Sequence, residues 1–224
     1  MIIETARHHM IEQQIRPWDV LDTRVLDLLS VVKREDFVPE AYRALAFVDM
    51  EIPLVSPSSE AMAQGKCMLA PRVEARMLQD LAVASHESVL EIGTGSGYMA
   101  ALLARSAHHV VSLETDASLV QMARSHLQQA GVHNAEVRQA NGADPKAVQG
   151  SFDVIVLSGS VAEIPAFLRD LLNPGGRLIA IVGEEPVMRA TLVTRTGQGF
   201  QTRELWDTVA PRLQGFAQHE TFDF

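Results

Sequence analysis

Val89-Leu90-Glu91-Ile92-Gly93-Thr94-Gly95-Ser96-Gly97-Tyr98 is the stretch on which the fold of this chain turns. Its first four residues read as a short buried strand. Gly93, Gly95 and Gly97 then make a tight loop, and Tyr98 opens a helix. Glycine takes positive φ without strain and leaves no Cβ in the way of a ligand. A strand that turns through glycines into a helix presents free N–H groups at the helix N-terminus. That is the local form of a nucleotide-binding turn; the other reading is a tight turn without a ligand, and the flanking sequence decides between them.

Working outward, the chain before this stretch reads as helical and then irregular. Helices are predicted over 5–15 and over 22–32, where Val25, Leu28, Leu29 and Val32 share one face and Asp22 is the N-cap. Residues 40–64 show no period beyond a short helix at 40–45. Gly65 to Pro71 is a loop, and Pro71 suits the first position of a helix whose stripe is Val73, Met77, Leu78 and Leu81 and which ends near Ala84. After Tyr98 the pattern alternates. Strands are predicted at 110–114, 135–139, 152–157 and 177–182, and helices at 98–105, 116–130 and 162–172. Two late strands, 190–195 and 202–208, follow without a helix between them. Alternation of this kind implies an α/β fold: a Rossmann-like, mostly parallel sheet with helices on both faces, an N-terminal helical addition and an antiparallel C-terminal edge. Residues 1–84 are expected to form the helical segment and loop, packed on residues 85–224 as one compact unit. The last residues, 203–224, read as edge strand and tail.

The bulk numbers narrow the function. The chain has 224 residues, 19 Lys+Arg against 28 Asp+Glu, a formal charge of −9 and 47% hydrophobic residues. Acidic balance argues against a nucleic-acid partner, which requires a basic footprint. The single cysteine, Cys67, excludes an internal disulfide and a multi-cysteine zinc site, and as a nucleophile it would need a partner base and a lowered pKa. His8-His9 and His108-His109 lack ligand spacing on one helix face and read as surface residues; no metal is expected. Met62, Met68 and Met77 read as packing residues. No apolar run approaches the ~18 residues of a membrane span, and a soluble cytoplasmic protein is expected.

Dinucleotide folds carry G-x-G-x-x-G. The loop here, Glu91-x-Gly93-x-Gly95-x-Gly97, instead resembles motif I of the class I S-adenosylmethionine (SAM) methyltransferases, so Glu91, Gly93, Thr94, Gly95, Ser96 and Gly97 are candidate SAM-binding residues. Glu114 ends the next strand, where a carboxylate can accept from both ribose hydroxyls. Methyltransferases place an acid after the third strand for the adenine amino group. Asn141 offers an amide oxygen there, although Asn141-Gly142 is equally a turn. Ser158, after the fourth strand, leaves room on the cleft floor. Asp153 reads as structural.

At a finer level the chain resembles the protein-L-isoaspartate O-methyltransferases, which repair damaged proteins. The resemblance rests on residues 10–15, Val31-Val32-Lys33-Arg34-Glu35-Asp36-Phe37-Val38-Pro39, 89–98, 152–156, Glu163-Ile164-Pro165, 172–178 and 182–184. It implies SAM as methyl donor and the free carboxylate of an isoaspartyl residue as acceptor. It also makes Gly65-Lys66-Cys67-Met68-Leu69-Ala70-Pro71 the substrate loop. That loop departs from the family's Gly-x-Thr-Ile-Ser-x-Pro: Cys67 replaces threonine, and Leu69 stands at the family's catalytic serine. A hydroxyl there would hold the acceptor carboxylate by a charge-assisted hydrogen bond, worth about 1.5–3 kcal/mol. The sequence thus leaves three readings: an isoaspartyl methyltransferase, a methyltransferase for another acceptor, and a SAM-binding protein without catalysis.

Overall fold

The computed structural model describes residues 2–218. Seven strands form the central sheet: β3 (Ser88–Ile92), β4 (His109–Glu114), β5 (Ala135–Gln139), β6 (Phe152–Val161), β7 (Leu172–Glu184), β8 (Val187–Thr196) and β9 (Gly199–Thr208). Their spatial order is β5-β4-β3-β6-β7-β8-β9. The first five are parallel, and β8 and β9 are antiparallel at the edge. The expected mostly parallel sheet with an antiparallel edge is therefore the fold observed.

Alternation along each inner strand builds two cores. Val89, Val110, Val154, Val156, Ile179 and Ile181 point to one face, whereas Leu90, Val111, Ile155, Leu157, Leu178 and Ala180 point to the other. The first face packs against α4 (Pro71–Leu81), α5 (Tyr98–Ser106) and α6 (Ala117–Gln129). The second is covered by Leu168 of α7 (Ala166–Asp170), Val148 and Phe216.

The N-terminal addition packs on the first face as well, through Met10, Ile15, Leu29 and Phe37. It consists of α1 (Ile2–His9), continued by a wider π-type turn Met10–Ile15, and α2 (Thr23–Val31). Asp22 caps α2 by accepting from the Arg24 N–H, as its position implies. Two ion pairs tie this addition down: Arg7 to Glu35, and Arg34 to Glu74 of α4 at 2.7 Å.

Three stretches differ from the sequence reading. Residues 46–64, expected to be irregular, include β1 (Ile52–Pro53) and α3 (Ser58–Ala63). β1 pairs with β2 (Cys67–Met68), so the middle of the 65–71 loop is held in a two-stranded ribbon. Two-residue strands have no period to read. The helix expected over 162–172 is confined to Ala166–Asp170, because Pro165 sits at its N-cap and Leu172 is drawn into the sheet opposite Phe152. Asn173 to Gly176, expected only to break that helix, are a bulge inside β7. The register there jumps from Phe152↔Leu172 to Val154↔Arg177, and Gly175 has φ +80°. Met68 and Met77 are buried as expected, but Met62 is exposed. The aromatic residues Phe222 and Phe224 of the expected tail lie outside the described residues.

Candidate active site

The strand order reverses between β3 and β6. In an open α/β sheet the ligand crevice lies beyond the carboxyl ends of the strands at that point. The glycine loop leaves β3 there, and Ser158 lies toward the end of β6. The loop is built on its neighbours: the Gly93 N–H donates to the Leu113 carbonyl at 2.9 Å, and Gly93, Gly95 and Gly97 have φ of +94°, +52° and +86°. A Cβ on Gly97 would lie 3.2–3.4 Å from Ala123 of α6, so this glycine lets the loop sit against that helix.

A cleft of about 570 Å³, counting its open mouth, sits over the loop. Ile92, Leu113, Leu119 and Ala140 give it apolar walls; Gly93, Gly95, Glu114, Gly142 and Ser158 also line it. Glu114 is buried. Its carboxylate accepts from the N–H groups of Gly95 (2.9 Å), Thr115 (2.8 Å) and Asp116 (3.1 Å). It therefore holds the glycine loop to β4 while facing the cleft. An apolar slot beside a carboxylate suits an adenosine: the base against the aliphatic wall, the diol on Glu114. The residues present thus fit SAM.

Other predicted residues fall elsewhere. Glu91 is fully buried beneath the loop, where it accepts from the Ser112 hydroxyl at 2.6 Å and the Ser158 hydroxyl at 2.8 Å. Burial pushes its carboxyl up to about 8 against those two hydrogen bonds. The Thr94 hydroxyl bonds the Ser112 hydroxyl at 2.5 Å, and the Ser96 carbonyl meets His126 Nδ1 at 2.9 Å. Glu91, Thr94 and Ser96 border a small inner cavity with Leu69, Glu74 and Tyr98. Asn141 is exposed, and its Oδ1 accepts from the Ala143 N–H at 3.0 Å. It makes an Asx turn beside the cleft, and Gly142 is the residue that lines it.

The 65–71 loop forms the opposite wall. Gly65, Lys66 and Cys67 line the cleft; Met68 and Leu69 are buried, with Leu69 only 5% exposed. The Leu69 carbonyl accepts from Arg34 Nη2 at 2.9 Å, and Pro71 opens α4. Burial raises the Cys67 thiol to about 12, with Glu51 contributing, so it stays protonated and is a poor nucleophile. Lys66 pairs with Asp116 at 2.8 Å across the mouth. Among the described residues no group of three His, Cys, Asp or Glu is placed to hold a metal ion.

The third wall is one that sequence reasoning missed. Arg212, Leu213 and Gln214, from the stretch after β9, line the cleft. Leu213 lies over Gly93 and Gly159, where a Cβ would be 2.6–2.8 Å from its side chain. The Gln214 amide donates to the Gln64 carbonyl at 3.0 Å. No periodicity marks these residues, so nothing in the sequence signalled them.

Residues 5–209 match the family model described as protein-L-isoaspartate(D-aspartate) O-methyltransferase. The chain belongs to that family. A protein-L-isoaspartate O-methyltransferase of Bradyrhizobium sp. (strain ORS 278) is 38% identical over 211 residues, covering 93% of this chain and 94% of that one. One from Methanoculleus marisnigri is 39% identical over 177 residues, covering 79% and 77%. Among solved structures, a Plasmodium falciparum protein described as such a methyltransferase, in complex with S-adenosyl-L-homocysteine, superposes with a TM-score of 0.74. It is 20% identical and covers 92% of this chain and 96% of its own, a likeness of fold. The chain thus has the SAM-dependent methyltransferase fold of this family, with the resemblance read from its motifs now shown.

Proposed function

We propose that this protein transfers the methyl group of SAM to the free carboxylate of isoaspartyl residues in damaged polypeptides. One observation carries the reading: the family match spans the N-terminal addition, the 65–71 loop and the nucleotide fold together, and the last two of these wall one cleft. The acceptor carboxylate is ionised at neutral pH, its pKa being about 3.5, so the reaction needs no strong base. It needs the carboxylate held in line with the methyl group and water kept out. SAM supplies an activated methyl group when bound. Glu114 and the glycine loop hold the donor, and the 65–71 loop and the stretch after β9 close over the acceptor side.

Leu69 favours a second reading. An apolar, buried side chain at the family's serine position supports a less polar acceptor, or loss of catalysis. Transfer of labelled methyl from SAM to an isoaspartyl peptide, with the aspartyl peptide as control, separates these. Labelling of the isoaspartyl peptide alone upholds the proposal. Labelling of neither, by protein that binds S-adenosylhomocysteine, overturns it.

A further inference from the structure

The stretch that follows β9 is bound to β6 through one residue. Ser160, fully buried, donates its hydroxyl to the Ala210 carbonyl at 2.8 Å and its N–H to the Pro211 carbonyl at 2.7 Å. Its carbonyl accepts from the Leu213 N–H at 2.9 Å. Arg212 is bracketed by the last two of these bonds, so its backbone is fixed at the carboxyl end of β6. Its carbonyl lies 2.7 Å from where a Cβ on Gly65 would be, directly against the 65–71 loop. Arg212 lines the cleft along with Lys66, Cys67, Gly93 and Ser158.

The Nη1 atom of Arg212 is shut off from solvent and has no hydrogen-bond partner among the described residues. The charged residues that line the same cleft are already committed. Lys66 is paired with Asp116, Asp116 also accepts from Ser118, and Glu114 accepts three backbone N–H groups. A buried guanidinium N–H donor left without a partner beside the cleft is costly unless a ligand completes it. A planar guanidinium matches a carboxylate, which can accept two parallel N–H bonds.

We propose that Arg212 holds the carboxylate of the methyl acceptor, taking over the anchoring that Leu69 cannot provide. The inference rests on the isoaspartyl reading and names the residue that makes it workable here. Its carbonyl against Gly65 sets it beside the 65–71 loop, which forms the acceptor side. The competing ligand for the same chemistry is the carboxylate of the donor itself.

The full chain and its Arg212→Met and Arg212→Lys variants separate these. Calorimetry measures S-adenosylhomocysteine binding, then binding of an isoaspartyl peptide to the loaded protein; methyl transfer gives KM and kcat. Arg212→Met should weaken peptide binding and raise peptide KM by about ten- to a hundredfold, with S-adenosylhomocysteine affinity unchanged and Arg212→Lys intermediate. Loss of S-adenosylhomocysteine affinity with peptide KM unmoved would assign Arg212 to the donor and overturn the proposal. Wild-type protein that binds and methylates the peptide no better than Arg212→Met overturns it alone. Wild-type protein that neither binds nor methylates the peptide overturns it together with the isoaspartyl reading.

Discussion

Glu114 does two things with one carboxylate. It fastens the glycine loop through the Gly95 N–H and offers oxygen lone pairs to the cleft. Its placement at a strand end was readable, because such an acid has a known use there; its grip on the loop was not, because the bond joins residues 19 apart. Glu114→Ala should weaken S-adenosylhomocysteine binding by about ten- to a hundredfold, with Glu114→Gln intermediate since it keeps one acceptor. Unchanged affinity by calorimetry would remove Glu114 from the site. Leu69 poses the complementary case. It is packed in the core through its side chain and tied to Arg34 through its carbonyl. Leu69→Ser restores a hydroxyl and should raise transfer to an isoaspartyl peptide by about tenfold, while opening a small cavity that lowers stability. A fall in transfer by the folded variant would show that the apolar side chain, not a hydroxyl, suits the acceptor.

At the scale of elements, the glycine loop is the most legible part of the chain and the stretch after β9 the least. The loop's three positive-φ positions are all glycine, so the sequence states its conformation. Gly95→Val tests its use. A β-branched residue at φ +52° is strained by about 1–3 kcal/mol, and its Cβ would meet Leu54 at 3.3 Å. The variant should melt at a lower temperature and lose S-adenosylhomocysteine binding. A folded variant with normal affinity would reduce the loop to a turn. Helices α2 and α4 were visible from their apolar stripes and from Asp22 and Pro71 at their starts, because each repeats a pattern over several turns. β1, β2 and α3 were not, since pieces of two to six residues carry no period and form only when the loop beside them is in place.

For the whole molecule, Glu91 is the largest liability of the buried polar layer. It is fully buried below the loop, with two hydroxyls donating to it. In the unfolded chain it ionises near 4.5, whereas in the fold it keeps its proton up to about 8. Between those values the folded state binds more protons, so stability falls as pH rises through this window and levels off above it. One proton of difference gives a slope of at most about 1.4 kcal/mol per pH unit. Urea unfolding of Glu91→Gln should therefore lose less stability between pH 5 and pH 8 than the natural protein. Equal losses would mean that Glu91 is ionised in the fold.

Local chemistry was enough to determine the α/β class, the glycine loop, the Glu114 strand end and the family. Each is encoded in a contiguous run: an alternation of elements, a glycine spacing, a motif. Only the tertiary structure decided that Glu91 lies beneath the cleft, that Asn141 makes a turn beside it, and that Arg212 and Leu213 come back to line it. Those outcomes depend on contacts between residues far apart in the chain, such as Ser160 with Pro211 and Leu213. Such contacts leave no periodic trace, because what selects them is the space left when β3, β6 and the 65–71 loop have packed together.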